Sequence, residues 1–109
     1  MNARLFTGLG TALITPFYDD KVDFASLGRL IDLQLAGGTD ALIVCGTTGE
    51  PPALTQAEKD SILEYTLQRV NGRVPVIAGT GTNNTKSSAE QSVRAQKLGA
   101  DALLIVTPY

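Results

Sequence analysis

Short apolar runs alternate with helix-patterned stretches along the chain, and the pattern echoes itself: Gly38-Thr39-Asp40-Ala41-Leu42-Ile43-Val44 returns as Gly99-Ala100-Asp101-Ala102-Leu103-Leu104-Ile105. Two strand-helix units of about thirty residues each separate the copies, the size of a βαβ step. Consecutive strands can run parallel only if a crossover of a dozen or more residues joins them, and a helix supplies that length. The regular period and short loops therefore predict parallel strands linked by right-handed crossovers, βαβαβαβ.

Taken in order, Gly10 to Thr15 reads as strand one, closed by Pro16, whose ring and missing N–H suit a strand end. Tyr18-Asp19-Asp20-Lys21 reads as a polar turn, and Asp23 as the N-cap of a helix over 24–36. Leu27, Leu30, Ile31 and Leu35 share one face of that helix, and Gly37-Gly38 supplies a left-handed exit. Strand two covers 40–45, and Glu50-Pro51-Pro52 after it reads as a stretch that no helix or central strand tolerates. Thr55-Gln56-Ala57-Glu58 is a capping box, opening a second helix that carries Ile62, Leu63, Thr66, Leu67 and Val70 to Asn71-Gly72. Strand three covers 74–78. Asn84 or Thr85 caps a third helix, which turns Ala89, Val93 and Leu98 inward before Gly99, and strand four covers 101–106. Four strands and three helices of this kind belong to a doubly wound sheet or to a (βα)8 barrel, and strand order is not written in the sequence.

The most informative junction is the end of strand two. Ala41 to Gly46 is apolar without alternation, as in a strand covered on both faces, and it stops at Thr47-Thr48 held between Gly46 and Gly49. Sites in α/β folds gather at the carboxyl ends of strands, so these two hydroxyls are candidate ligand-binding groups. A plain βα turn has the same composition.

Nine basic and eleven acidic residues leave a net charge of −2 with no basic run, which argues against a nucleic-acid surface. With no histidine and a single cysteine, Cys45, inside an apolar strand, no metal site is expected, and Cys45 reads as a small buried hydrophobe. Neither a signal peptide nor a membrane span is legible, so a cytoplasmic protein is expected. Gly79-Thr80-Gly81 lacks the third glycine of a dinucleotide fingerprint, since Asn84 stands there, and no cofactor is expected. A Schiff base needs an amine at a strand's mouth, whereas Lys21, Lys59, Lys86 and Lys97 all read as solvated turn or helix residues. Glu50 fits loop fixation better than acid-base work. Tyr109, closing strand four, either reaches the mouth shared with Thr47 and Thr48 or only packs.

Four motifs in order, Thr15-Pro16-Phe17, Gly46-Thr47-Thr48-Gly49-Glu50, Pro75-Val76-Ile77-Ala78-Gly79-Thr80-Gly81 and Val106-Thr107-Pro108-Tyr109, resemble dihydrodipicolinate synthase, a branch of the pyruvate-dependent aldolase and lyase superfamily. The related N-acetylneuraminate lyases usually carry Ser at the position of Thr47 and lack the Gly79-Thr80-Gly81 turn, which favours the synthase branch over those lyases and the 2-keto-3-deoxy sugar acid aldolases. The resemblance implies a (βα)8 barrel, usually a homotetramer, that condenses pyruvate with aspartate semialdehyde through a lysine imine in lysine and diaminopimelate biosynthesis. It implies that Thr47 relays protons between two tyrosines and that Thr48 holds the pyruvate carboxylate. It also places Tyr109 and Asn83 at a lysine feedback site by the dimer interface. There, Ser87 and Lys59 replace the Glu and His of lysine-sensitive members. In the family the imine-forming lysine and one relay tyrosine lie on later strands, and the other relay tyrosine follows the position of Tyr109.

The expectation is therefore that residues 1–109 are the N-terminal portion of a single barrel domain, inactive without the remainder. The competing expectation is a non-catalytic half-barrel whose uncovered inner face and strand edges drive self-association.

Overall fold

A computed structural model describes residues 4–107. In chain order the elements are β1 (Gly10–Ala12), β2 (Phe17–Tyr18), β3 (Lys21–Val22), α1 (Phe24–Ala36), β4 (Ala41–Val44), α2 (Gln56–Val70), β5 (Val76–Gly79), α3 (Thr85–Leu98) and β6 (Ala102–Leu104). The long strands form one parallel sheet in the order β1-β4-β5-β6, in register Ala12 to Ile43 to Ile77 to Ala102. Sequential neighbours in a parallel sheet, each joined by a helix, are what the repeating strand-helix period predicts.

Alternate residues of each strand point to opposite faces. Leu42 and Val44 of β4 and Val76 and Ala78 of β5 turn to the helices, where they join Leu27, Ile31, Ile62, Leu63 and Val70 in a single core. The row through Ile43 and Ile77 turns to the other face and lies outside that core. On or beside that face Ile14, Leu104 and Val106 remain about half exposed, at 52%, 48% and 49%. The continuous apolar run of β4 thus serves two environments: a packed helix layer and a bare inner surface.

Helix ends follow the local chemistry. Asp23 accepts from the Ser26 N–H at 3.1 Å, the Thr55–Glu58 capping box is complete, and Asn84 rather than Thr85 caps α3 by accepting from the Ser87 N–H at 3.0 Å. After α1 the left-handed residue is Gly38, at φ +86°, while Gly37 stays helical.

The structure corrects several expectations. The first, second and fourth expected strands are shorter at their ends, and the third starts later but runs on to Gly79, although Leu13 N–H still donates to the Ile43 carbonyl at 2.9 Å. Tyr18 to Lys21 is more than a polar turn: β2 and β3 form a small hairpin, with Asp19 and Asp20 both at positive φ as a two-residue turn requires, so Lys21 is a strand residue. Pro51–Ala53 does form helix, a single 3₁₀ turn, because its prolines sit at the first positions, where no N–H is needed. Cys45 lies beyond the end of β4. On α3, Ala89 and Val93 face outward, and Ala95 is the buried residue. The inward face of its first half is polar instead, since Ser92 shares a hydrogen bond with Thr80 at 2.8 Å and Ser88 accepts from the Thr82 N–H at 2.8 Å.

The internal echo has a structural cause. Asp40 accepts from the Leu9 N–H at 2.8 Å and Asp101 from the Val76 N–H at 2.9 Å, so each copy clamps the amino end of the preceding neighbour strand. The backbones repeat it, with Asp40 N–H donating to Leu9 O and Asp101 N–H to Val76 O, both at 2.9 Å. Val76 is 1% exposed, so its N–H has no recourse to water. Asp101→Ala is expected to destabilise the fold by about 1–3 kcal/mol, and Asp40→Ala, whose bond is exposed, by less, as measured by urea unfolding.

Neighbouring helices are also tied by ion pairs. Arg69 Nε donates to Asp32 at 3.0 Å between α2 and α1, and Arg94 forks onto Asp60 between α3 and α2. The Arg hydrogen bond is the main reason that each aspartate is held below its usual value of 3.8. A carboxylate more acidic in the folded chain contributes stability above the unfolded value and loses it as pH falls through the folded one. Unfolding free energy should therefore decline below about pH 4. In Asp60→Asn that acid slope should be shallower, as followed by denaturant titrations across pH.

Candidate functional site

At the carboxyl end of β4 the chain turns sharply. Cys45 adopts φ +57°, a left-handed conformation that costs an L-residue about 1–2 kcal/mol. Thr47–Gly49 then makes one 3₁₀ turn, and Glu50, also at φ +57°, joins it to the turn at Pro51–Ala53. The hydroxyl turn is thus bracketed by two strained non-glycine residues, and such strain persists only where surrounding structure enforces it.

Burial of the Cys45 side chain in the core holds that end of the turn, and Gly79 of β5 makes room for it. A Cβ there would lie 2.3 Å from the Cys45 carbonyl oxygen and 2.8 Å from the Gly46 nitrogen, so the two backbones meet where only glycine fits. Cys45 itself is buried, and burial pushes its thiol up to about 11, leaving it a neutral, packed side chain.

Within the turn, Gly49 N–H donates to Gly46 O at 2.8 Å and Glu50 N–H to Thr47 O at 3.1 Å. Among the described residues the Thr47 and Thr48 N–H groups and hydroxyls have no hydrogen-bond partner, so two amides and two hydroxyls stand ready for a ligand. Thr47 lines a cavity of about 360 Å³ with Cys45, Gly46, Pro51 and Pro52, Gly79 and Gly81, and Leu104 and Val106 of the β6 segment. The combination of apolar walls and a few convergent donors suits a small molecule with one anionic end.

Of the expected site residues, the structure places Thr47 on the cavity and Thr48 next to it, exposed and outside its lining. Asn83 lies exposed on the loop before α3 and does not join that cavity. Tyr109 lies outside the described residues. Glu50 acts through its backbone as the link between two turns, in keeping with loop fixation. Lys21, Lys86 and Lys97 are exposed, and Lys59 is half buried on α2. Sequence reasoning missed the left-handed Cys45 and the hydroxyl of Thr15, which donates to the Gly49 carbonyl at 2.7 Å. Position gave a faint signal for both, a thiol and a hydroxyl at the carboxyl end of an apolar strand. Among the described residues no cluster of three or more His, Cys, Asp or Glu side chains could hold a metal, and no helix is long and apolar enough to cross a membrane.

A parallel sheet layered by helices on one face, bare on the other and bearing a polar turn at its strands' carboxyl ends is an α/β unit of the (βα)8-barrel class, its N-terminal part. The Dihydrodipicolinate synthetase family matches residues 5–109, and the chain belongs to that family. It is 56% identical over 106 residues to the 4-hydroxy-tetrahydrodipicolinate synthase of Bacillus subtilis, covering 95% of this chain and 36% of that protein. Over 105 residues it is 51% identical to the synthase of a Thermoanaerobacter species, covering 96% and 35%. Among solved structures, dihydrodipicolinate synthase from Thermotoga maritima matches with a TM-score of 0.95 at 45% identity, covering 97% of this chain and 36% of the other. The chloride-inhibited synthase from Acinetobacter baumannii, solved in complex with pyruvate, matches at 0.90 and 40%, covering 94% and 35%. The chain thus spans little more than a third of these relatives, at 35–36% of their length.

Gly79→Ala should destabilise the fold by about 1–3 kcal/mol through overpacking against the Cys45 carbonyl, and more than Ala substitution of Gly37, which has a negative φ and where an added Cβ meets nothing nearer than 3.4 Å. Paired thermal and urea unfolding of the two variants checks this.

Proposed function

We propose that residues 1–109 form the N-terminal portion of a single (βα)8 domain whose activity is that of 4-hydroxy-tetrahydrodipicolinate synthase, the condensation of pyruvate with aspartate semialdehyde. The observation that carries this reading is a turn whose Thr47 and Thr48 amides and hydroxyls have no partner among the described residues, with Thr47 lining a cavity of about 360 Å³ and Thr48 beside it. A carboxylate is acceptor-only and takes several donors, which two amides and a hydroxyl at one turn can supply. Thr48 holds the pyruvate carboxylate, and the hydroxyl of Thr47, a residue that lines the cavity, both donates and accepts, as a proton relay must. The names of the relatives support the synthase over the sugar-acid aldolases.

The imine-forming lysine is assigned to later strands of the domain. Lys21, Lys59, Lys86 and Lys97 stand on the hairpin or on the helices, none of them lining the cavity beside Thr47. The same reading makes the whole protein a cytoplasmic homotetramer in lysine biosynthesis, with Asn83 and Tyr109 toward a subunit interface.

A chimera tests the proposal: this chain replaces the matching N-terminal segment of the Bacillus subtilis synthase, to which it is 56% identical. Condensation is expected in the chimera and absent from the isolated chain, which should also form no borohydride-trapped adduct with pyruvate. Thr47→Val should lower kcat by about 10²–10⁴-fold, and Thr48→Val should raise the KM for pyruvate by about tenfold or more. A folded but inactive chimera, or a trapped adduct on the isolated chain, overturns the reading.

A further inference from the structure

We infer that Thr15 is a positioning residue whose buried hydroxyl, by holding the Gly49 carbonyl, fixes the turn that sets Thr47 on the cavity and Thr48 beside it. Thr15 is 6% exposed and its Oγ1 donates to Gly49 O at 2.7 Å, a bond between segments far apart in the chain. The support beneath it is rigid, because Leu13 N–H donates to Ile43 O at 2.9 Å and ties this segment to β4.

Gly49 is gripped from both sides. Its N–H closes the turn onto Gly46 O at 2.8 Å, and its carbonyl is held by Thr15. A Cβ at Gly49 would stand 3.2 Å from Thr15 Oγ1 and 3.4 Å from Leu13 O, so the turn packs closely against the segment that carries Thr15. The turn's other constraints lie within itself or at its strained ends, Cys45 and Glu50, both at φ +57°. Without the Thr15 hydroxyl, a buried carbonyl loses its partner, and relaxing the turn to reach water is the cheapest remedy. That relaxation would rotate the Thr47 and Thr48 amides away from a common target.

The consequence for pyruvate rests on the carboxylate reading above, whereas the positional claim does not, and the two are separable by experiment. In the full chain labelled with ¹⁵N and ¹³C, the Thr15 hydroxyl proton is expected to exchange slowly and to impose a deuterium isotope shift on the Gly49 carbonyl carbon. Thr15→Val should shift the Thr47 to Glu50 amide signals and speed Gly49 and Glu50 amide exchange about tenfold, while Val76 exchange stays unchanged after correction for global stability. Thr15→Ser should restore all of these. Absence of the isotope shift in the unaltered chain overturns the inference even if Thr15→Val fails to fold, as does an unmoved turn in a folded Thr15→Val, or failure of Ser to rescue. In the chimera, Thr15→Val should raise the KM for pyruvate about tenfold with a smaller change in kcat. A loosened turn with unchanged KM supports the positioning role of Thr15 and overturns the carboxylate reading.

Discussion

The geometry of this chain's working end depends on one close approach, the Cys45 carbonyl resting on the bare backbone of Gly79. With no side chain on β5 at that point, β4 can stop at Val44 and swing through a left-handed residue into the turn at Gly46. Burial of the Cys45 side chain among core residues holds the strained conformation in place.

The stabilising contacts and the candidate site occupy opposite ends of the sheet. At the amino ends of the strands, Asp40 and Asp101 clamp neighbouring strands, and the helix-covered face holds the single core. At the carboxyl ends lie the loops that carry hydroxyls and glycines, Thr47 and Thr48 after β4 and Thr80 to Thr82 after β5. The second of these loops is anchored to α3 by Ser88 and Ser92, so polar helix residues there hold a loop and make no contribution to an apolar stripe. This division is the one that barrel enzymes show in general, with function varied in loops above a constant scaffold.

Much of the scaffold was legible because it is governed by local rules. The capping box at Thr55 and Glu58, the Asp23 cap and the left-handed Asn71 are short-range hydrogen-bond chemistry, and each stands where the residues indicate. The strand-helix period survived translation into a parallel sheet for the same reason. The small hairpin at Phe17–Val22 was misread because its two-residue strands are too short to show an alternating pattern, and the inward face of α3 because Ser92 meets Thr80 across a loop.

By itself the sequence determined the alternation of elements, their caps, the apolar composition of the strands and the presence of two threonines between glycines at a strand's end, all of them properties of neighbours in the chain. Tertiary structure alone decided which face of each strand the helices would cover, that Cys45 and Glu50 would be forced left-handed, and that Thr15 would reach the Gly49 carbonyl at 2.7 Å. Those outcomes arise where segments distant in sequence come within hydrogen-bond or van der Waals range, and the register of parallel strands, which brings them there, is set by packing over the whole sheet.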